Sequence, residues 1–126
     1  MQEVRVSVPA RADYLHVLRA VAASVGARRD LSFEAIDDLR IAVDEAGAYL
    51  LALKPSADKL CLIVKISEEG VTATLWGEGI TTKWPPPGSD DSLSWKVLSG
   101  LADEAAFEEL DGAPAIRLLK RATSGR

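Results

Sequence analysis

Val4-Arg5-Val6-Ser7-Val8 alternates apolar and polar residues, the period of a half-buried strand, and Pro9 ends it. From Ala12 the period changes. Leu15, Leu18, Val21, Ala22 and Val25 recur at three- and four-residue spacing, which predicts a helix that Gly26 stops. Its other face carries Asp13, His16, Arg19 and Ala23, a pattern that reads as solvent or, more sharply, as a partner surface. A second helix is predicted from Ser32, a good N-cap, to Leu53, with Pro55 as its stop. Ile36, Leu39, Val43, Ala46, Leu50 and Leu53 form its main apolar stripe. Ile41, Glu45 and Tyr49, each four residues from the last, form a neighbouring one and are expected to share a side.

Lys59 to Ile66 and Val71 to Trp76 are rich in β-branched residues and flank Ser67-Glu68-Glu69-Gly70, which predicts a hairpin. Gly77 to Asp91 holds Pro85-Pro86-Pro87 and glycines at both ends, so a long lid-like loop is expected there, with Trp84 arguing against full disorder. Ser92 to Asp103 reads as a third helix on Leu93, Val97, Leu98 and Leu101, capped by Ser92 or Asp91. Ala105 to Leu110 and Ala113 to Leu119 flank Asp111-Gly112, a strong two-residue hairpin signal, and the tail from Thr123 is expected to fray. One domain over 1–126 satisfies this order: an α+β two-layer sandwich, with a mixed, mainly antiparallel sheet and helices on one face.

Composition narrows the function. The chain has 126 residues and 48% hydrophobic content, enough for one cored domain. No apolar run nears the roughly 20 residues of a membrane span, and Met1 to Arg5 lacks the start of a signal peptide, so neither membrane nor export is expected. Cys61 is the one cysteine and reads as a core residue, and a cytoplasmic setting fits. His16 is the one histidine, so a metal site or a Ser-His-Asp triad is poorly supported. Net charge of -4 argues against nucleic acid and suits a basic protein partner. Arg28-Arg29 and Lys120-Arg121 are the basic pairs, expected in a solvated loop and a tail.

With the element order, two segments carry a resemblance. Asp38-Leu39-Arg40-Ile41-Ala42-Val43-Asp44-Glu45-Ala46 and Val97-Leu98-Ser99-Gly100-Leu101-Ala102-Asp103-Glu104, with Ile116 to Arg121 as a last strand, resemble the anti-sigma factor and serine-protein kinase (RsbW-like) family of the GHKL ATPase superfamily. The resemblance covers nearly the whole chain and implies the histidine kinase-like ATPase (Bergerat) fold. Family members sequester an alternative sigma factor of a stress or developmental response. Many also bind ATP and magnesium and phosphorylate an anti-anti-sigma antagonist on serine. They often form homodimers through the sheet edge. Sigma contacts lie on the first helix and nearby loops, which makes Asp13, His16 and Arg19 the implied contact face.

The ATP motifs depart from the family at central positions. Glu45 matches the catalytic acid, but Tyr49 stands where the family has a magnesium-binding Asn, and a phenol is a poor ligand for a hard cation. Gly79 matches the next motif, but Gly77 replaces the Asp that reads adenine. Glu78 is one position away and is expected to point to the other side. Ser92 and Ser94 replace the phosphate-cradling glycines, with Asp90 and Asp91 just upstream. Losing the metal ligand and the cradle together removes most of what phosphoryl transfer needs. The resemblance therefore implies a sigma-sequestering protein that uses neither ATP nor magnesium, with Glu45 left as a vestige. An active serine kinase is the alternative. A small-molecule sensor, with Trp76, Trp84 and Trp95 lining the emptied pocket, is another.

Overall fold

The computed structural model describes residues 2–54, 56–80 and 83–122. In chain order it contains β1 (Gln2–Pro9), a 3-10 turn (Ala12–Tyr14), α1 (Leu15–Arg28), α2 (Phe33–Leu51), β2 (Lys59–Ile66), β3 (Gly70–Glu78), a second 3-10 turn (Ser89–Asp91), α3 (Leu93–Leu101), β4 (Glu104–Leu110) and β5 (Ala113–Arg121). The five strands form one sheet in the order β1-β2-β3-β5-β4. All four ladders among the described residues are antiparallel. The β4–β5 hairpin turns at Asp111 (φ 51°) and Gly112 (φ 82°), the pair of left-handed residues that a type I′ turn requires.

Alternation along the strands decides the layers. Leu60, Leu62 and Val64 of β2, Val71, Ala73 and Leu75 of β3, and Ile116 and Leu118 of β5 meet Leu18, Ala22 and Val25 of α1, Leu39, Val43 and Leu50 of α2, and Leu98 of α3 in one core. All helices therefore lie on one face of the sheet. The intervening residues Cys61 and Ile63 are also buried, but they point to the other face and lie outside that core.

Several sequence expectations need correction. Gly26 does not stop α1. It is buried inside the helix, where an added Cβ would lie 3.3 Å from Leu31 Cδ1. The left-handed step comes at Asp30 (φ 62°), and Leu31 N–H bonds the Gly26 carbonyl while Asp30 N–H bonds that of Ala27, a Schellman stop built on Asp. Pro55 and the tail 123–126 lie outside the described residues, and α2 already ends at Leu51. Gly77 and Glu78 belong to β3, so the lid begins at Gly79. Leu93 is 78% exposed; only Leu98 of its stripe is fully buried, and α3 meets the core through Trp95, Leu98 and Leu101. Arg29 and Lys120 of the two basic pairs are structural. Arg29 donates to the carbonyls of Ser67 and Glu68 in the β2–β3 turn, and Lys120 Nζ bonds Asp38 Oδ2 (3.1 Å) and the Leu101 carbonyl (2.8 Å) at the end of α3.

Candidate functional site

α2 starts where the sequence places it, with Ser32 Oγ accepting from Ala35 N–H at 3.0 Å. Its second apolar stripe does not stay on one side. At 100° per residue, every fourth residue drifts about 40° around the helix. Ile41 accordingly stands half exposed on the outer face, Glu45 is half-buried, and Tyr49 has turned under the lid. Glu45 is thus reached by water and is not an enclosed carboxylate.

The Tyr49 hydroxyl donates to Ser89 Oγ at 2.6 Å, and Ser89 Oγ donates to the Pro86 carbonyl at 2.6 Å. The Tyr49 ring meets Trp84 of the lid edge to face (6.0 Å between centroids) and Phe107 of β4 at 5.9 Å. Phe107 in turn stacks on Trp95 of α3 at 4.0 Å and meets Trp84 at 5.2 Å. Trp84 Nε1–H is held by the Glu108 carbonyl at 2.9 Å. Tyr49 from α2, Trp84 from the lid, Trp95 from α3 and Phe107 from β4 thus form one cluster of four rings. Edge-to-face and offset contacts of this kind add about 0.5–1.5 kcal/mol per pair beyond burial.

The other motif positions are occupied by the protein itself. Gly77 faces the helix layer, where an added Cβ would lie 2.6 Å from Ile80 Cδ1 and 3.2 Å from Ala57 Cβ, so the space a side chain would take there is filled by Ile80 and Ala57. Glu78 points to the opposite face, where its Oε2 lies 3.3 Å from Cys61 Sγ. Gly79 needs to be glycine, with φ +90° and the Asp58 carboxylate against its Cβ position. Ser92 Oγ accepts from Trp95 N–H at 3.1 Å, so one donor at the start of α3 is capped, and Asp90 and Asp91 form the turn before it. Ser94 is half-buried one position before Trp95.

Among the described residues no group of three or more His, Cys, Asp or Glu is placed to hold a metal. Trp76 lies on the open sheet face beside Cys61, away from Trp84 and Trp95, so the three tryptophans do not line one site. Ser89 and Phe107 are the residues that sequence reasoning missed. Phe107 is the one aromatic residue of β4, whereas nothing local marks Ser89.

The implied partner face divides as well. His16 and Arg19 line a groove of about 480 Å³ between the outer faces of α1 and α2, floored by Ala20, Ala23 and Ile41 and walled on α2 by Arg40 and Asp44. Arg19 crosses it to Asp44 at 2.8 Å. Asp13 stands apart, paired with Arg11 at 3.0 Å. His16 Nδ1 donates to the Asp13 carbonyl at 2.9 Å, an assignment that follows because a carbonyl only accepts.

No protein-family model matches the chain. It is 34% identical over 104 residues, 82% of its length, to the anti-sigma-F factor RsbW of Mycobacterium tuberculosis, in strains CDC 1551 / Oshkosh and H37Rv alike. The match takes in 60% of those proteins, so the chain spans about three fifths of the length of the curated relatives it matches. A crystal structure of the RsbU and RsbW domains of a Mycobacterium tuberculosis protein shares the fold, with a TM-score of 0.73 at 15% identity over 100% of this chain and 34% of that one. With that sequence identity and the same arrangement of helices on an antiparallel sheet, the chain is RsbW-like in sequence and in fold.

Proposed function

We propose that this domain is an anti-sigma factor that binds and sequesters an alternative RNA polymerase sigma factor, and that it does so without kinase chemistry. The relatives' name supports the first half. One observation carries the second: the Tyr49 ring and hydroxyl are committed to Trp84, Phe107 and Ser89, so the position of the family's metal ligand is spent on holding the lid. Glu45 keeps the family's acid without its neighbouring ligand, and we assign it no chemistry. Neither ATP nor magnesium is a cofactor in this reading.

The sigma factor is held on the α1 side, through His16 and Arg19. Sigma factors act on RNA polymerase, so the site of action is the cytoplasm; no helix among the described residues is long and apolar enough to cross a membrane. An anti-anti-sigma antagonist, if the system has one, competes for the same face without being phosphorylated. β1 is an open edge of the sheet, the place where a second copy would pair to make a homodimer.

Two measurements test this reading. Purified domain is mixed with each sigma factor of its own cell, and one of them is retained at micromolar concentration; retention of none overturns the anti-sigma assignment. Isothermal titration with ATP and magnesium gives no binding heat. Binding that Glu45→Ala abolishes, with phosphate transfer to an antagonist, establishes the kinase instead.

A further inference from the structure

β1 is an edge strand, and the phase of the sheet decides which of its backbone groups are unpaired. Ser67 and Gly70 exchange both hydrogen bonds at the β2–β3 turn. By alternation Ile66 and Val71 do not bond each other, and the even-numbered residues of β2 turn their N–H and C=O groups to β1. Gln2, Val4, Val6 and Val8 stand opposite those residues and are paired with them. Glu3, Arg5 and Ser7 therefore aim their backbone groups outward, where no turn or loop among the described residues meets them. On the helix side Val4 is 42% exposed. It floors a trough between β1 and α1, in two adjoining parts of about 340 Å³ and 210 Å³, walled by Val21 and Val25 and continued by Val64 and Ile66. Arg28 stands in both parts. Every other arginine among the described residues donates to a carboxylate or a carbonyl of the chain. Arg28 donates to none of the described residues. Glu3, the one carboxylate in the lining, is held by Arg5 and Lys65. The last turn of a helix suits a cation, but it gives the five donors of a guanidinium no acceptor.

We propose that an extended segment of a protein partner adds to the sheet along β1, with apolar side chains in the trough and a carboxylate on Arg28. Each observation selects one property of the occupant. Outward N–H and C=O groups on every second residue are matched by a strand. The apolar trough takes the side chains of alternate residues of that strand. The free guanidinium takes an acid. A second copy of the chain meets only the first two. Paired antiparallel along β1, it brings its own Gln2, Val4, Val6 and Val8 to the helix side, and none of these is an acid. Arg28 then stays without an acceptor. Self-pairing and strand binding use the same outward groups, so they exclude one another.

The probes are synthetic peptides as long as β1 that alternate valine and threonine, with a glutamate in one and a lysine in the other at the end beside Arg28. Amide and methyl NMR of the full chain follows them. The glutamate peptide shifts the methyls of Val4, Val21 and Val25 and protects the amides of Glu3, Arg5 and Ser7 from exchange. It binds at least about tenfold tighter than the lysine peptide. N-methylation of the peptide amides that face β1 abolishes binding. Arg28→Glu, at an exposed position, inverts the preference while keeping a folded spectrum. Equal or stronger binding of the lysine peptide, undiminished binding of the methylated one, shifts that map elsewhere, or no shifts would each overturn the proposal. So would a dimer joined at β1 that the glutamate peptide does not split in sedimentation. Retention of a sigma factor is scored separately: if none is held and the peptides behave as expected, the anti-sigma reading fails and the edge assignment stands.

Discussion

Tyr49 on α2 donates its phenolic hydrogen to Ser89 at 2.6 Å, joining two residues forty positions apart. Ser89 passes its own hydrogen to the carbonyl of Pro86 three residues earlier, so a side chain only 6% exposed has both its donor and an acceptor position used. Buried hydroxyls are stable only when engaged in this way. The relay makes Tyr49 an anchor that ties the segment from Trp84 to Ser89 down onto α2.

The ring and the hydroxyl of Tyr49 are separable. Tyr49→Phe keeps the contacts with Trp84 and Phe107 and leaves Ser89 without its donor, for a loss of about 1 kcal/mol. Tyr49→Ala removes the ring from the cluster as well, for a loss of about 2–3 kcal/mol, less than in a fully buried site because Tyr49 is half-buried. Urea unfolding followed by tryptophan fluorescence reads both. Equal losses in the two variants would mean that the hydroxyl relay, and not the stacking, holds the lid.

Restoring the family acid should not restore the nucleotide. In Gly77→Asp the new Cβ meets Ile80 Cδ1 at 2.6 Å, and the carboxylate is pressed into an apolar place. Burial of that kind costs about 2 kcal/mol or more. A lower melting temperature and no ATP heat are expected. A variant of unchanged stability that bound ATP would show that the adenine position is still open.

Burial pushes the Cys61 thiol above its ordinary value of 9.0, with Glu78 adding to the rise and the Ser7 hydrogen bond opposing it. The folded state therefore holds the proton more tightly than the unfolded chain. The associated stability is complete below about pH 9 and is lost as pH rises beyond it, because the unfolded thiol ionises first. Unfolding at about pH 8 and about pH 10 should show a steeper decline for the wild type than for Cys61→Ala. Iodoacetamide should label Cys61 slowly in the folded protein and readily in urea. Equal rates would contradict its burial.

The three implied contact residues should not behave alike. His16→Ala and Arg19→Ala, both in the groove, should each weaken sigma binding several-fold, on the order of 1 kcal/mol. Asp13→Ala should leave it unchanged, since Asp13 is turned to Arg11. Surface plasmon resonance with the retained sigma factor reads all three. A loss with Asp13→Ala equal to that with Arg19→Ala would move the contact face to the start of the helix.

Much of this molecule is legible from local rules. Alternation placed β1, and β-branched richness placed β2; Ser32 and Ser92 announced the helix starts that their hydroxyls cap; Asp111-Gly112 set the last hairpin. Glu78 on the far face follows from the pleat alone. These features depend on neighbours a few residues away, and a sequence records such neighbours directly. Gly26 shows the limit: a helix-stopping residue by composition, it is kept small by Leu31, and the stop passes to Asp30.

The site lay beyond that limit. The residues replacing the family's ATP motifs were plain in the chain, and so was the direction of the change. That Tyr49 would find Ser89, that Phe107 and Trp95 would close over it while Trp76 went to the opposite face, and that Asp13 would leave the groove that His16 and Arg19 share were all decided by packing between distant elements. A ring or a hydroxyl has no preferred partner until the fold brings one within reach. Departures from a motif can be read residue by residue, but what surrounds the new side chains depends on contacts that exist only in three dimensions.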